Sequence, residues 1–160
     1  MARVNSELVN ASTPVAGEDG ILLLSFAYDG GCRALQVSAD GVKELWARRL
    51  LRIHHGNGVR IGGIVYGSSG DLGPAPLTAV DVKTGKVLWR ERILSKSTIL
   101  AVGGKLLALD EEGVLLLAQP GPGSGASPRK NAVDGRSLMD SSIACGRQAV
   151  RSQPHRHGSV

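Results

Sequence analysis

The sequence predicts an all-β chain assembled from copies of one short antiparallel sheet. Three observations carry this: a tryptophan phrase that recurs after 43 residues, apolar runs of strand length, and Gly-containing turns between them. A period of ~40–45 residues filled with short strands is the pattern of propeller blades. The expected architecture is therefore an incomplete β-propeller of four-stranded antiparallel blades, two blades plus most of a third, followed by a disordered tail.

The repeat is read from two landmarks. Trp46 and Trp89 end the phrases Gly41-Val-Lys-Glu-Leu-Trp46 and Gly85-Lys-Val-Leu-Trp89. Upstream of each, a glycine opens an apolar run, Gly20-Ile-Leu-Leu-Leu-Ser and Gly63-Ile-Val-Tyr-Gly-Ser, and these glycines are again 43 residues apart. A third copy begins at Gly103-Gly104-Lys-Leu-Leu-Ala-Leu, at a shift of 41 from Gly62-Gly63. After a lead-in at 1–12, the blades fall at 13–50, 57–94 and 98–119.

Each strand follows from alternation bounded by turn residues. In the first blade these are Thr13–Ala16, Ile21–Ala27, Cys32–Val37 and Val42–Arg48, with turns at Tyr28–Gly31 and Ser38–Gly41. The second blade reads Gly58–Ile61, Ile64–Ser68, Leu77–Val82 and Lys86–Glu91. Its Ser69–Pro76 segment is a Gly/Pro-rich connection, and Lys83-Thr84-Gly85 is a tight turn in which Gly accepts φ > 0 without a Cβ clash. The third blade supplies Thr98–Val102, Leu106–Leu109 and Val114–Ala118, with a turn at Asp110–Gly113. A fourth strand is due next, but the chain reads Pro120-Gly-Pro-Gly-Ser-Gly-Ala-Ser-Pro128.

Residues 120–160 are Gly-, Ser-, Pro- and Arg-rich, and no periodicity persists apart from a weak helical stretch near Ser137–Ala144. Such composition buries too little apolar area to offset the entropy of ordering, so a disordered tail is expected. The formal net charge of +5 sits mainly there. Residues 1–120 hold 13 Lys/Arg against 12 Asp/Glu, whereas the last forty hold 6 against 2. A nucleic-acid partner is thus not expected of the folded part. The apolar runs are far too short to span a bilayer as helices, and residues 1–14 lack the apolar core of a signal peptide. Cys32 and Cys145 are too few and too far apart for a disulfide framework or a CxxC metal site.

Ala79-Val-Asp81-Val-Lys-Thr84-Gly85-Lys-Val-Leu-Trp89 resembles the Ala-x-Asp-x-x-Thr-Gly-x-x-x-Trp motif of the pyrroloquinoline-quinone (PQQ)-like repeat propellers. All five motif positions are present: Ala79, Asp81, Thr84, Gly85 and Trp89. The first copy keeps a turn glycine, Gly41, and Trp46, while Gln36, Ser38 and Gly41 stand where the motif has Ala, Asp and Thr. His54-His-Gly-Asn-Gly58 is similar to the BamB-like branch of outer-membrane assembly proteins. The resemblance covers roughly residues 10–119. It implies a tryptophan docked between adjacent blades, a ring of seven or eight blades, and an exported or periplasmic parent protein.

Chemistry is sparse by comparison. His54 and His55 are the weak candidate site, but structural zinc takes four ligands and no Cys or carboxylate cluster stands nearby at ligand spacing. Adjacent residues in extended chain also point to opposite faces. They are read as a loop or blade-edge pair. Asp110-Glu111-Glu112 reads as solvated turn residues, and Arg48-Arg49 and Arg90–Arg92 as solvated edge charges that discourage strand addition. No nucleophile–base pair is visible. Quinoprotein dehydrogenases share the repeat but also use a calcium site, a catalytic aspartate and often vicinal cysteines, none of which can be matched here. No cofactor is expected, and PQQ enters only through the family name.

The leading functional expectation is a non-catalytic scaffold or protein-interaction module whose partners are other propeller blades or another protein. The alternatives are a remnant of a quinoprotein oxidoreductase and nucleic-acid binding through the basic tail. Arg/Ser/Pro/Gly-rich aperiodic sequence is also what a shifted reading frame yields in a GC-rich gene. Downstream DNA should then hold further Thr-Gly-x-x-x-Trp repeats in another frame. Sequencing the locus tests this, and flanks without repeats in any frame would refute it.

Overall fold

A computed structural model of the chain describes residues 10–122, apart from Leu72 and Ile93. The lead-in at 1–9 and the tail from 123 onward, including Cys145 and Ser137–Ala144, lie outside the described residues. Those residues form strands and turns with no helix, in three antiparallel sheets of four, four and three strands.

The first sheet runs in chain order through β1 (Val15–Ala16), β2 (Ile21–Phe26), β3 (Gly31–Ser38) and β4 (Gly41–Arg48). The second repeats this order with β5 (Gly58–Ile61), β6 (Ile64–Ser68), β7 (Leu77–Asp81) and β8 (Val87–Glu91). The third holds β9 (Ser97–Val102), β10 (Lys105–Asp110) and β11 (Leu115–Ala118), with β10 central. Turn glycines set the boundaries, since Gly31, Gly41, Gly62 and Gly104 all have positive φ beside a strand end.

Expected and observed strands differ by a residue or two. Thr13 is not part of β1 but makes an isolated parallel bridge to Asn57, so the first sheet's opening strand is shorter than read. Val82 and Lys86 belong to the β7–β8 turn. Their backbone is used there, with the Asp81 N–H donating to the Lys86 carbonyl at 2.9 Å and the Val82 N–H to that of Gly63 at 2.9 Å.

Two bulges fall at matching places. Ala34 opposes Trp46 and Leu35 opposes Glu44, leaving Leu45 unpaired; Ala79 opposes Trp89 and Val80 opposes Val87, leaving Leu88 unpaired. An extra residue locally reverses which side chains share a face. Each indole is thereby aligned with the small alanine opposite it rather than with the alternation of its own strand.

The sheets are joined face to face by two cores. Val15, Ile21, Leu23, Cys32 and Ala34 of the first sheet pack with Val65, Val80 and Val82 of the second, around Leu51 and Ile53 of the linker. Tyr66, Leu77, Ala79 and Trp89 pack with Ile99, Leu106, Ala108, Leu116 and Ala118 of the third, around Leu94. Val65 and Tyr66 are neighbours in β6, as Ala79 and Val80 are in β7, so alternate residues send the second sheet into both cores. The first and third sheets are covered on one face each. On their other faces Val37, Val42, Leu100, Val102 and Leu109 are exposed.

The tryptophans are unequal. Trp89 is buried at 9% exposure, while Trp46, expected to be largely buried, is only half-buried. Its neighbours in β4 are all exposed, so the indole is covered from the second sheet's side alone. Trp89→Ala should cost ~3–5 kcal/mol as a core truncation. Trp46→Ala should cost clearly less, because less area leaves water. Urea midpoints of the two variants check this, and equal or unchanged midpoints would contradict the placement.

Candidate functional site

Asp81 ends β7 and organises the turn that follows. Its Oδ1 accepts the Thr84 N–H at 2.8 Å and the Thr84 hydroxyl at 2.7 Å, and the Gly85 N–H donates to the Asp81 carbonyl at 2.9 Å. The bonds from Thr84 to the carboxylate, its hydroxyl above all, hold the Asp81 carboxyl below its ordinary pKa. The depressed value means that Asp81 stabilises the fold above about pH 4, its unfolded range, and that this contribution is lost as pH falls through the folded pKa.

The turn receives the tryptophan of the preceding sheet. Trp46 Nε1 donates to the Val82 carbonyl at 2.9 Å, across the seam between the first and second sheets. Gly85 has φ +68, and a Cβ there would lie 2.8 Å from the Trp46 indole. Glycine is thus required twice, for the left-handed backbone and for the approach of the ring. Trp89 makes the corresponding bond one seam on, with Nε1 donating to the Gly121 carbonyl at 2.9 Å and its ring 5.8 Å from that of Tyr66. Gly41 has φ +129 at the β3–β4 turn, and its Cα has open space beside it, so no indole packs there. Of the motif residues, Trp46 and Gly85 meet across the first seam, whereas Asp81 and Thr84 bond within their own turn.

Sequence reasoning missed a second set of seam residues. Ser25 Oγ donates to the Leu51 carbonyl at 3.0 Å and accepts the Ile53 N–H at 2.8 Å. Ser68, 43 residues later, donates to the Ala75 carbonyl at 3.1 Å and accepts the Ser97 N–H at 3.1 Å. Asn57 bridges to both backbone groups of Ile99, at 2.7 and 3.0 Å. The repeat spacing of the two serines was the available signal.

The histidine pair lies in a bend of the loop between β4 and β5, and its rings are tilted against each other with centroids 3.7 Å apart. His54 is 6% exposed, lies edge-on to Tyr28 at 5.0 Å, and places Nδ1 3.3 Å from the Asp71 carbonyl. Its Nε2 is buried without a partner in the structure. Among the described residues no three His, Cys, Asp or Glu side chains gather as metal ligands would. Cys32 is buried, and burial pushes its thiol pKa up, away from nucleophilic use.

Asp110 corrects another expectation. It is buried rather than solvated, because its carboxylate accepts the N–H groups of Glu112, Val114 and Ser95 at 3.0, 2.8 and 3.2 Å. Glu111 and Glu112 are exposed. Arg90 likewise is not merely a solvated edge charge, since it donates to the Leu50 carbonyl at 2.7 Å. With Arg49, Arg52 and Arg92 it lines a groove of about 880 Å³ at the first seam, opposite Pro74 and Pro76. No family model matches the chain, and no curated protein is significantly similar to it in sequence.

Gly85→Ala should cost at least ~2 kcal/mol, combining left-handed strain with overlap against the indole. Adding Trp46→Ala should remove the overlap and leave only the backbone part. A double-mutant cycle on denaturation midpoints measures the coupling. Additive losses would mean that the ring does not press on Gly85.

Proposed function

We propose that the three sheets are consecutive blades of a β-propeller of the PQQ-like repeat type, and that the chain serves as a non-catalytic scaffold. On this reading its uncovered outer faces accept further blades or a partner protein. The observation that carries the proposal is the apolar surface left at both ends of the stack. Val42 is 64% exposed on the first sheet, and Leu100 and Val102 are 55% and 57% exposed on the third. Register places Val37 opposite Val42, and Leu107 opposite both Leu100 and Leu117, so each outer face is a cluster rather than a scatter. Contiguous apolar surface of this kind marks an interaction face.

The inner seams support the same reading. The two faces of the second sheet are covered by one scheme, an indole bonded to a carbonyl just past the third strand of the following sheet and a serine bonded to backbone at or before that sheet's first strand. A repeating seam can be continued at either end by another sheet of the same kind. Stacking of radially splayed sheets closes at ~4–8 blades, which exceeds the three present.

The test is the association state of the full chain by light scattering over a concentration series, with a dye that fluoresces on apolar surface. The wild type should bind dye and associate as concentration rises. Val42→Lys with Leu100→Lys should abolish both and leave the denaturation midpoint nearly unchanged, since both sites are exposed. A wild-type chain that stays monomeric and binds no dye would overturn the proposal.

A further inference from the structure

We infer that the arginine-lined groove at the first seam binds a short acidic peptide segment through its carboxylates. This does not rest on the scaffold reading, for it uses neither outer face. The groove lies where the linker carrying Arg49 and Arg52 passes between the 69–76 connection and the end of β8, which brings Arg90 and Arg92. Its volume, about 880 Å³, falls in the ~300–1,000 Å³ range of ligand sites.

The charge balance is decisive. Of the two carboxylates in the lining, Asp71 is already committed, with Oδ2 2.7 Å from Arg52 Nη1 and Oδ1 accepting the Tyr28 N–H at 2.7 Å. Arg52 and Asp71 therefore neutralise each other. Arg49, Arg90 and Arg92 remain against Asp29, an excess of positive charge on three exposed side chains. Arg90 is held in place by the Leu50 carbonyl and uses only part of its five-donor fork there. Arg49 and Arg92 make no ion pair among the described residues. Guanidinium forks match the paired oxygens of carboxylates and phosphates, so the ligand is an oxyanion and the rest of the lining decides which.

Other features of the lining favour a peptide over a nucleic acid. Tyr28 is the one aromatic ring in the lining, too few for the successive stacking platforms that single-stranded nucleic acid uses. Asp29 and Asp71 interrupt the positive potential that an unbroken phosphate backbone would follow. Pro74 and Pro76 add apolar lining against which the stem of a peptide can lie, while its carboxylates meet the arginines. Exposed pairs contribute little singly, so binding should be modest, need several contacts at once, and weaken with salt.

The experiment is an anisotropy titration of the full chain with a fluorescein-labelled octapeptide carrying Glu at alternate positions. A Gln-substituted peptide and a labelled single-stranded oligonucleotide of equal charge are run beside it. The acidic peptide should bind, the Gln peptide should not, and raising salt from about 50 mM to about 500 mM should weaken binding strongly. Arg49→Glu with Arg92→Glu should lower affinity about tenfold or more by placing like charges in the site. The denaturation midpoint should stay where it was, and Arg49→Lys with Arg92→Lys should retain most of the binding. Equal binding by the double-Glu variant would overturn the inference, because the basic tail is common to both proteins. So would equal affinity for the Gln peptide, or tighter binding of the oligonucleotide that the same substitutions abolish.

Discussion

A sheet that is apolar on both faces has to be covered twice, and every larger feature of this chain follows from that requirement. An antiparallel sheet commonly hides one face and wets the other, which gives alternation of apolar with polar residues. The central strands here do not alternate in that way. In β6 and β7, Val65 and Val80 point into one core while Tyr66 and Ala79 point into the other, all at 0–1% exposure. At ~25 cal/mol per Å² of apolar area removed from water, two covered faces stabilise the middle sheet far more than one could. The same sequence pattern leaves the first and third sheets each with a face that nothing in the described residues covers.

Coverage alone would allow the sheets to slide, and the polar contacts at the seams prevent this. Each indole N–H reaches a backbone carbonyl just past the third strand of the next sheet, Val82 for Trp46 and Gly121 for Trp89. A buried N–H left without such a partner would cost about 1–3 kcal/mol, so any slip that breaks the bond is opposed. Ser25 and Ser68 act in the same way from the second strand of their sheets, Ser25 taking the Ile53 N–H of the linker and Ser68 the Ser97 N–H at the start of β9. Apolar burial therefore supplies most of the energy of stacking, and these few directional bonds select one arrangement. The inequality of the two tryptophans fits this division. Trp89 meets Tyr66 within a core, whereas Trp46 lies against the bare Gly85 turn and keeps one side in water.

The strands were legible because their signals are local. Glycine at a positive-φ turn and alternation between turns are each confined to a few neighbours in sequence, and the two tryptophans 43 residues apart mark the repeat. The β6 and β5 boundaries, Ile64–Ser68 and Gly58–Ile61, were readable to the residue for that reason. The site was much less legible. Asp110 looks like any acidic turn residue until three N–H groups converge on it, and the loop pair His54-His55 gives no sign that the bend brings its rings together. The bulges at Leu45 and Leu88 leave no mark in composition, since each depends on pairing with another strand. Only Ser25 and Ser68 were within reach, because they obey the period already established by Gly20 and Gly63.

The arginine groove shows why a repeating scaffold can still carry one distinctive surface. Both seams are built alike from strands, but the loops that border them differ. The second sheet joins β6 to β7 through residues 69–76, while the third joins β10 to β11 through the short turn 111–114. The longer connection is tied to the linker at Arg52 and walls a wide groove; the shorter one folds back through Asp110 and borders a cavity of about 260 Å³. Charge follows the same division. The small cavity sets Lys96 against Asp110 and Glu111, close to balance, whereas the wide one gathers four arginines with two aspartates. Strand positions are constrained by packing on both sides and can vary little without disturbing a core. Loop length and loop charge carry no such constraint, so chemical individuality in a stack of this kind belongs at the seams' loop ends.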